Sequence, residues 1–184
     1  KKGMVKKMHT LNPNVLKNQI RQIEPYCVTN RLEIDSWKSY TGMHVSPNNI
    51  VLDENPPIQM YLGDRWKVGY DETRYFESEI TVPAEFEGKK VYLSIDFGGE
   101  AIVRINGQIV GAVSSEENFG WVHRTEILFK DGVKAGEKLN IQVEGAVNCA
   151  GFCDRAIAGA KYMEYTLNKA ELIAVDRLTE SYWF

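Results

Sequence analysis

The chain has 184 residues, with 22 lysines and arginines set against 25 aspartates and glutamates, a formal net charge of −3. That length buries one real core, and the scattered charges leave no basic stripe to gather phosphates, which excludes nucleic acid as a partner class. No apolar run approaches the roughly 20 residues that cross a bilayer, and the amino end lacks the apolar stretch of a secretory leader, so the expectation is a cytoplasmic protein with no membrane partner.

Residues 1–8, KKGMVKKM, are basic and read as a terminal arm. A helix follows, with Asn12 as N-cap, Pro13 at the first helical position and Leu11 placed to staple onto Leu16. Leu16, Ile20 and Ile23 fall on one face, and Pro25 is expected to end the helix. From Tyr26 to Tyr40 the pattern fits either a second helix or an irregular segment. Between Thr41 and Pro57, glycine, proline and asparagine predict a wrapping loop around the apolar island Ile50-Val51-Leu52. Residues 1–57 are thus expected to form a helical and loop extension, packed on a domain spanning 58–184.

From there the period is two. Trp66, Val68 and Tyr70 alternate, then Phe76, Ser78, Ile80 and Val82 face inward against Glu77, Glu79 and Thr81, and Pro83 stops the strand. Gly88 serves as a turn glycine. Val91, Leu93, Ile95 and Phe97 alternate with Tyr92, Ser94 and Asp96, whose face meets water or a second layer. Ala101, Val103 and Ile105 resume the alternation after Gly98-Gly99, and Asn106-Gly107 supplies the two positive-φ residues of a type I′ hairpin. Two more strands, centred on Ile127 and Ile141, are joined by turns at Asp131-Gly132 and Ala135-Gly136. Asn148 to Lys161 has no clean period and reads as an excursion, whereas Ala170 to Asp176 returns as a late strand. Antiparallel strands joined by tight turns give an all-β sandwich.

Several residues carry chemistry worth weighing. Cys27, Cys149 and Cys153 are an odd number of cysteines, which favours reduced thiols over a disulfide framework. Cys149 and Cys153 have no second pair, and His9, His44 and His123 are far apart, so no metal spacing appears. Glu77 and Glu79 share a strand face about 7 Å apart, against the roughly 5 to 5.5 Å of a retaining glycosidase pair, and read as solubility residues. The Glu100 carboxylate, following two glycines, is expected to accept backbone N–H bonds within its turn. Trp66, Tyr70, Tyr75 and Trp121 are candidates for a sugar-stacking platform, with sandwich core or interdomain contact the stronger reading. The ending Tyr182-Trp183-Phe184 needs a surface to pack on, and with Trp121 and His123 it is assigned to interdomain contact, with self-association through this end when the partner is absent.

The segment FGGEAIVRINGQIVG, preceded by RWKVGYDETRYFESEITVPAEFEGKKVYL and followed by LNIQVEG, resembles the amino-terminal β-sandwich of family 38 glycoside hydrolases, the α-mannosidases. The matching turn positions are Gly98, Gly99, Glu100, Ala101, Asn106 and Gly107. The resemblance implies an antiparallel jelly-roll β-sandwich, galactose-binding-like, with a helical amino-terminal extension. It further implies a non-catalytic accessory domain whose partner is the catalytic domain of the same polypeptide, joined through a linker near Phe184. That domain, and not this chain, would carry the zinc, its His and Asp ligands and the Asp nucleophile, so no catalytic residue and no cofactor are assigned here. The alternatives are a stand-alone carbohydrate-binding module and the opening sandwich of a family 2 β-glycosidase, whose jelly-roll domains carry a similar strand, Asn-Gly, strand segment.

Overall fold

The structure is a computed structural model and describes residues 12–46, 49–69, 72–115, 124–146 and 162–182. One helix, α1 (Pro13–Cys27), precedes thirteen strands among the described residues. These are β1 (Val28–Glu33), β2 (Ser36–Ser46), β3 (Asn49–Leu52), β4 (Ile58–Tyr61), β5 (Arg65–Gly69), β6 (Thr73–Thr81) and β7 (Lys90–Asp96). They continue as β8 (Glu100–Ile105), β9 (Gln108–Ser114), β10 (Glu126–Asp131), β11 (Lys138–Ala146), β12 (Tyr162–Thr166) and β13 (Lys169–Val175). Two sheets make the sandwich, a four-stranded one in the order β1-β13-β7-β10 and a seven-stranded one in the order β3-β2-β6-β11-β8-β9 with β4 also on β2. A two-stranded ribbon pairs β5 with β12. Every pairing is antiparallel, as the all-β jelly-roll reading requires.

The core follows from the alternation. Val91, Leu93 and Ile95 of β7, with Leu172 of β13 and Ile127 of β10, face Phe76 of β6, Val103 and Ile105 of β8, and Leu139, Ile141 and Val143 of β11. Asn106 and Gly107 hold φ of 51° and 78° and close the β8–β9 hairpin in two residues, the type I′ geometry. Asn106 does more than turn. Its N–H donates to Asn140 O at 2.8 Å, and its Oδ1 accepts from Asn140 N at 2.9 Å, tying the hairpin tip to β11.

The amino-terminal region differs from expectation. Val28–Glu33, Ser36–Ser46 and Asn49–Leu52 are strands of the two sheets and not loop or helix. On β1 the half-buried positions are Val28, Asn30 and Leu32, and on β2 the chain buries Trp37, Ser39 and Gly42. Polar residues at inward positions, Asn30 on β1 and Ser39 on β2, hide the period of two, while Gly42 is buried on the outer face under β3. Ser39 is tolerated inside because its hydroxyl accepts from Arg74 Nε at 2.7 Å. Helix α1 also runs through Pro25 to Cys27. The proline forfeits one helical donor near the end, while Cys27 O is fixed by Asp176 N–H at 2.7 Å and its thiol donates to Thr179 O at 3.3 Å. At the start, Asn14 N–H donates to Asn12 Oδ1 at 3.0 Å, the expected cap. The Leu11 staple, the arm and the excursion over 148–161 lie outside the described residues.

The outer face of the four-stranded sheet carries the second layer. Tyr92, Ile173 and Val175 are buried with Val28 packed against them, beside the 3₁₀ turn Glu180–Tyr182 that follows β13. Glu180 accepts from Tyr92 Oη and pairs with Lys90 Nζ at 2.5 Å, so the segment after the last strand is latched back onto β7.

Candidate functional site

The glycine-rich turn is structural. Gly98 has φ of 88°, and a Cβ there would sit 3.0 Å from Tyr165 Cβ and 3.1 Å from the Thr166 backbone. Gly99 packs in the same way on the Tyr165 ring, at 3.3 Å. The turn is capped by Asp96, whose Oδ1 accepts from Gly98 N–H at 2.9 Å, and not by Glu100. No hydrogen bond reaches the Glu100 carboxylate among the described residues. The aspartate lies two residues before Gly98, the short loop an Asx turn requires, whereas the glutamate already belongs to β8.

Trp66 is core, only 3 % exposed, and is removed from the sugar-stacking candidates. Its Nε1 donates to Phe97 O at 2.9 Å and its ring lies edge-on to Phe76 at 5.3 Å and tilted on Tyr165 at 5.0 Å. Phe97 continues this aromatic chain to Phe76 at 4.9 Å and Trp37 at 5.0 Å, contacts each worth about 0.5–1.5 kcal/mol beyond the area they bury. Tyr70, Trp121, His123, Trp183 and Phe184 lie outside the described residues, as do His9, Cys149 and Cys153. Tyr182 closes the last 3₁₀ turn. Glu79 is exposed, while Glu77 is half-buried and accepts from Asn140 Nδ2 at 2.7 Å.

Tyr75, the remaining platform candidate, stands on the outer face of the seven-stranded sheet in a cluster that the alternation pattern had assigned to solvent. The register builds it in two rows. Tyr40, Tyr75, Glu144 and Ile102 stand opposite one another across β2, β6, β11 and β8. Lys38, Glu77, Gln142 and Arg104 form the adjacent row on the same strands. Neighbours within a row are about 5 Å apart and the rows about 7 Å apart. At one side β3 closes in over Gly42, where a Cβ would meet Val51 O at 2.7 Å, and this approach makes Ile50 and Leu52 an apolar wall. The resulting groove has a volume of about 370 Å³.

Its electrostatics are closed on themselves. Glu144, with a side chain 8 % exposed, accepts from His44 Nε2 at 2.5 Å and from Arg104 at 2.6 Å, using both oxygens. Tyr75 has its hydroxyl enclosed beside the Thr73 side chain, with no hydrogen bond of regular geometry among the described groups. Burial, then the Glu144 charge, push the Tyr75 phenol above its ordinary range, against smaller opposing effects of Thr73 and Arg104. The phenol therefore stays neutral. Glu144 thus has both oxygens occupied by donors, while Glu77 accepts through Oε1. Among the described residues no three of His, Cys, Asp or Glu gather as metal ligands, and no helix is long and apolar enough to cross a membrane. Three polar members of the cluster, Arg104, Gln142 and Glu144, carry one signal in sequence, their outward parity on strands whose other face is apolar, and His44 on β2 lacks even that. That signal alone does not separate them from ordinary solvent-facing residues.

The fold is shared with solved glycosidases. The β-glucuronidase of Ruminococcus gnavus in complex with uronic deoxynojirimycin superposes with a TM-score of 0.55 at 14% identity, over 83% of this chain and 31% of that one. The same enzyme with N1-substituted uronic isofagomine gives 0.52 at 14%, over 80% and 30%. A calcium-binding mutant of Bacteroides uniformis β-glucuronidase 2 gives 0.53 at 16% identity, over 79% and 18%. The chain thus spans less than a third of the length of these enzymes, and the likeness is one of fold. No curated protein matches the chain significantly in sequence. The model of one family, described as the alpha-mannosidase jelly roll domain, matches residues 28–173, from the first residue of β1 into β13. The chain belongs to the alpha-mannosidase jelly roll domain family.

Proposed function

We propose that this chain is the non-catalytic accessory domain of a family 38 α-mannosidase, supporting a catalytic domain of the same polypeptide. The observation that carries the reading is the family match over 28–173, which coincides with the sandwich itself. On this reading the zinc and its ligands belong to the catalytic domain. The described residues do not fit a metal, so no catalytic step is assigned to them. A second reading, the opening sandwich of a family 2 β-glucuronidase, is favoured by the superpositions, but at 14–16% identity they bear on the fold and not on the substrate.

The test is a substrate comparison on the full-length protein. Hydrolysis of p-nitrophenyl α-D-mannopyranoside with no turnover of p-nitrophenyl β-D-glucuronide is the expected result. The reverse selectivity would overturn the reading in favour of the family 2 assignment.

A further inference from the structure

We infer that the groove on the outer face of the seven-stranded sheet is a binding site for an uncharged hexopyranose, a sugar subsite remote from any catalytic residue. The inference rests on the glycosidase reading for its biological sense, and on the groove for its chemistry. Two tyrosines, Tyr40 and Tyr75, stand side by side on adjacent strands and line the groove, aromatic surface of the kind that packs on the apolar C–H face of a pyranose ring. Gln142, Arg104 and Glu77 line the floor next to them, a mixture of amide, guanidinium and carboxylate suited to donate to and accept from sugar hydroxyls. Ile50 and Leu52 bound the groove on its apolar side. The cavity of about 370 Å³ is of the order expected for a small-molecule pocket.

Charge selects the class of ligand. Arg104 is already paired with Glu144, and Lys38 stands opposite Glu77, so the two cations are matched by two carboxylates. An anionic sugar would have to break the Arg104–Glu144 pair or approach two carboxylates, whereas a neutral hexose meets only hydrogen-bonding groups.

The test is a ¹⁵N-resolved titration of the 184-residue chain with methyl α-D-mannopyranoside, repeated with methyl β-D-glucuronide. Saturable shifts confined to amides of residues 38–42, 73–77, 102–104 and 142–144 are expected, with the glucuronide bound at least about tenfold more weakly. Tyr40→Ala and Gln142→Ala should each weaken mannoside binding by about tenfold, as loss of one stacking or hydrogen-bonding partner implies. Ile109→Ala, at an exposed position of β9, should leave it unchanged. Absence of a saturable shift, shifts mapping elsewhere, tighter binding of the glucuronide, or unchanged affinity in the folded Tyr40 and Gln142 variants would each overturn the site. If the full-length protein hydrolyses α-mannosides while this face binds no sugar, the subsite falls and the proposed function stands. If the face binds but the parent protein is inactive on mannosides, the subsite stands and the proposed function falls.

Discussion

Gly98 and Gly107 sit at similar positive φ, 88° and 78°, yet their surroundings differ. A methyl group at Gly107 would meet nothing within 4 Å, while at Gly98 it would collide with the Tyr165 Cβ and the Thr166 backbone. Gly107→Ala should therefore cost only the left-handed backbone penalty of about 1–2 kcal/mol. Gly98→Ala should lose that and a further 1–3 kcal/mol, roughly, from overpacking against an element that cannot yield. Urea unfolding of the two variants measures the gap, and equal losses would mean that the β12 segment moves freely. Both glycines were legible as turn residues from their dipeptides. The reason Gly98 admits no substitute was not, because Tyr165 and Thr166 are more than sixty residues away. Separations of 100 and 40 residues likewise hid the meeting of Glu144 with His44 and with Arg104, which forms only once β2, β11 and β8 are ordered in one sheet.

At the scale of elements, the strands with apolar, alternating inner faces were readable and those with polar inward residues were not. β6, β7, β8, β10, β11 and β13 follow the pattern directly, while β1 and β2 bury Ser39 and Gly42 and half-bury Asn30. The turn after β13 is held by charge. Burial acts to raise the Glu180 carboxyl, but hydrogen bonds from Lys90 and Tyr92 outweigh it and bring it below its usual range. Lys90, bonded to Glu180, is correspondingly raised. A lowered carboxyl contributes stability above its unfolded pKa, lost as pH falls through the folded one, and a raised lysine contributes below its unfolded pKa, lost as pH rises through the folded one. Wild-type protein should thus unfold at a higher temperature than Glu180→Gln across the neutral range. The difference should shrink on acidification below the ordinary carboxylate range and again at pH above the ordinary lysine range. A difference independent of pH would show that the latch is held by packing of Tyr92 and not by the ion pair.

For the whole molecule, the two sheets and their shared core account for most features of the described residues, and the groove on the outer face of the seven-stranded sheet stands apart from that core. The jelly roll was legible because the hairpin at Asn106-Gly107 and the alternating strands around it specify antiparallel neighbours by local chemistry. Its first two strands, and the groove that β2 and β3 help to form, depend on contacts between distant segments, which a single sequence does not display. On the proposed function this chain scaffolds a glycosidase without performing its chemistry. The rate of p-nitrophenol release from p-nitrophenyl α-D-mannopyranoside by the purified 184-residue chain, beside the full-length protein at equal molar concentration, tests that role. Turnover is expected from the full-length protein and, from the isolated chain, a rate equal to that of buffer. Hydrolysis by the isolated chain, purified free of host mannosidase, would contradict it.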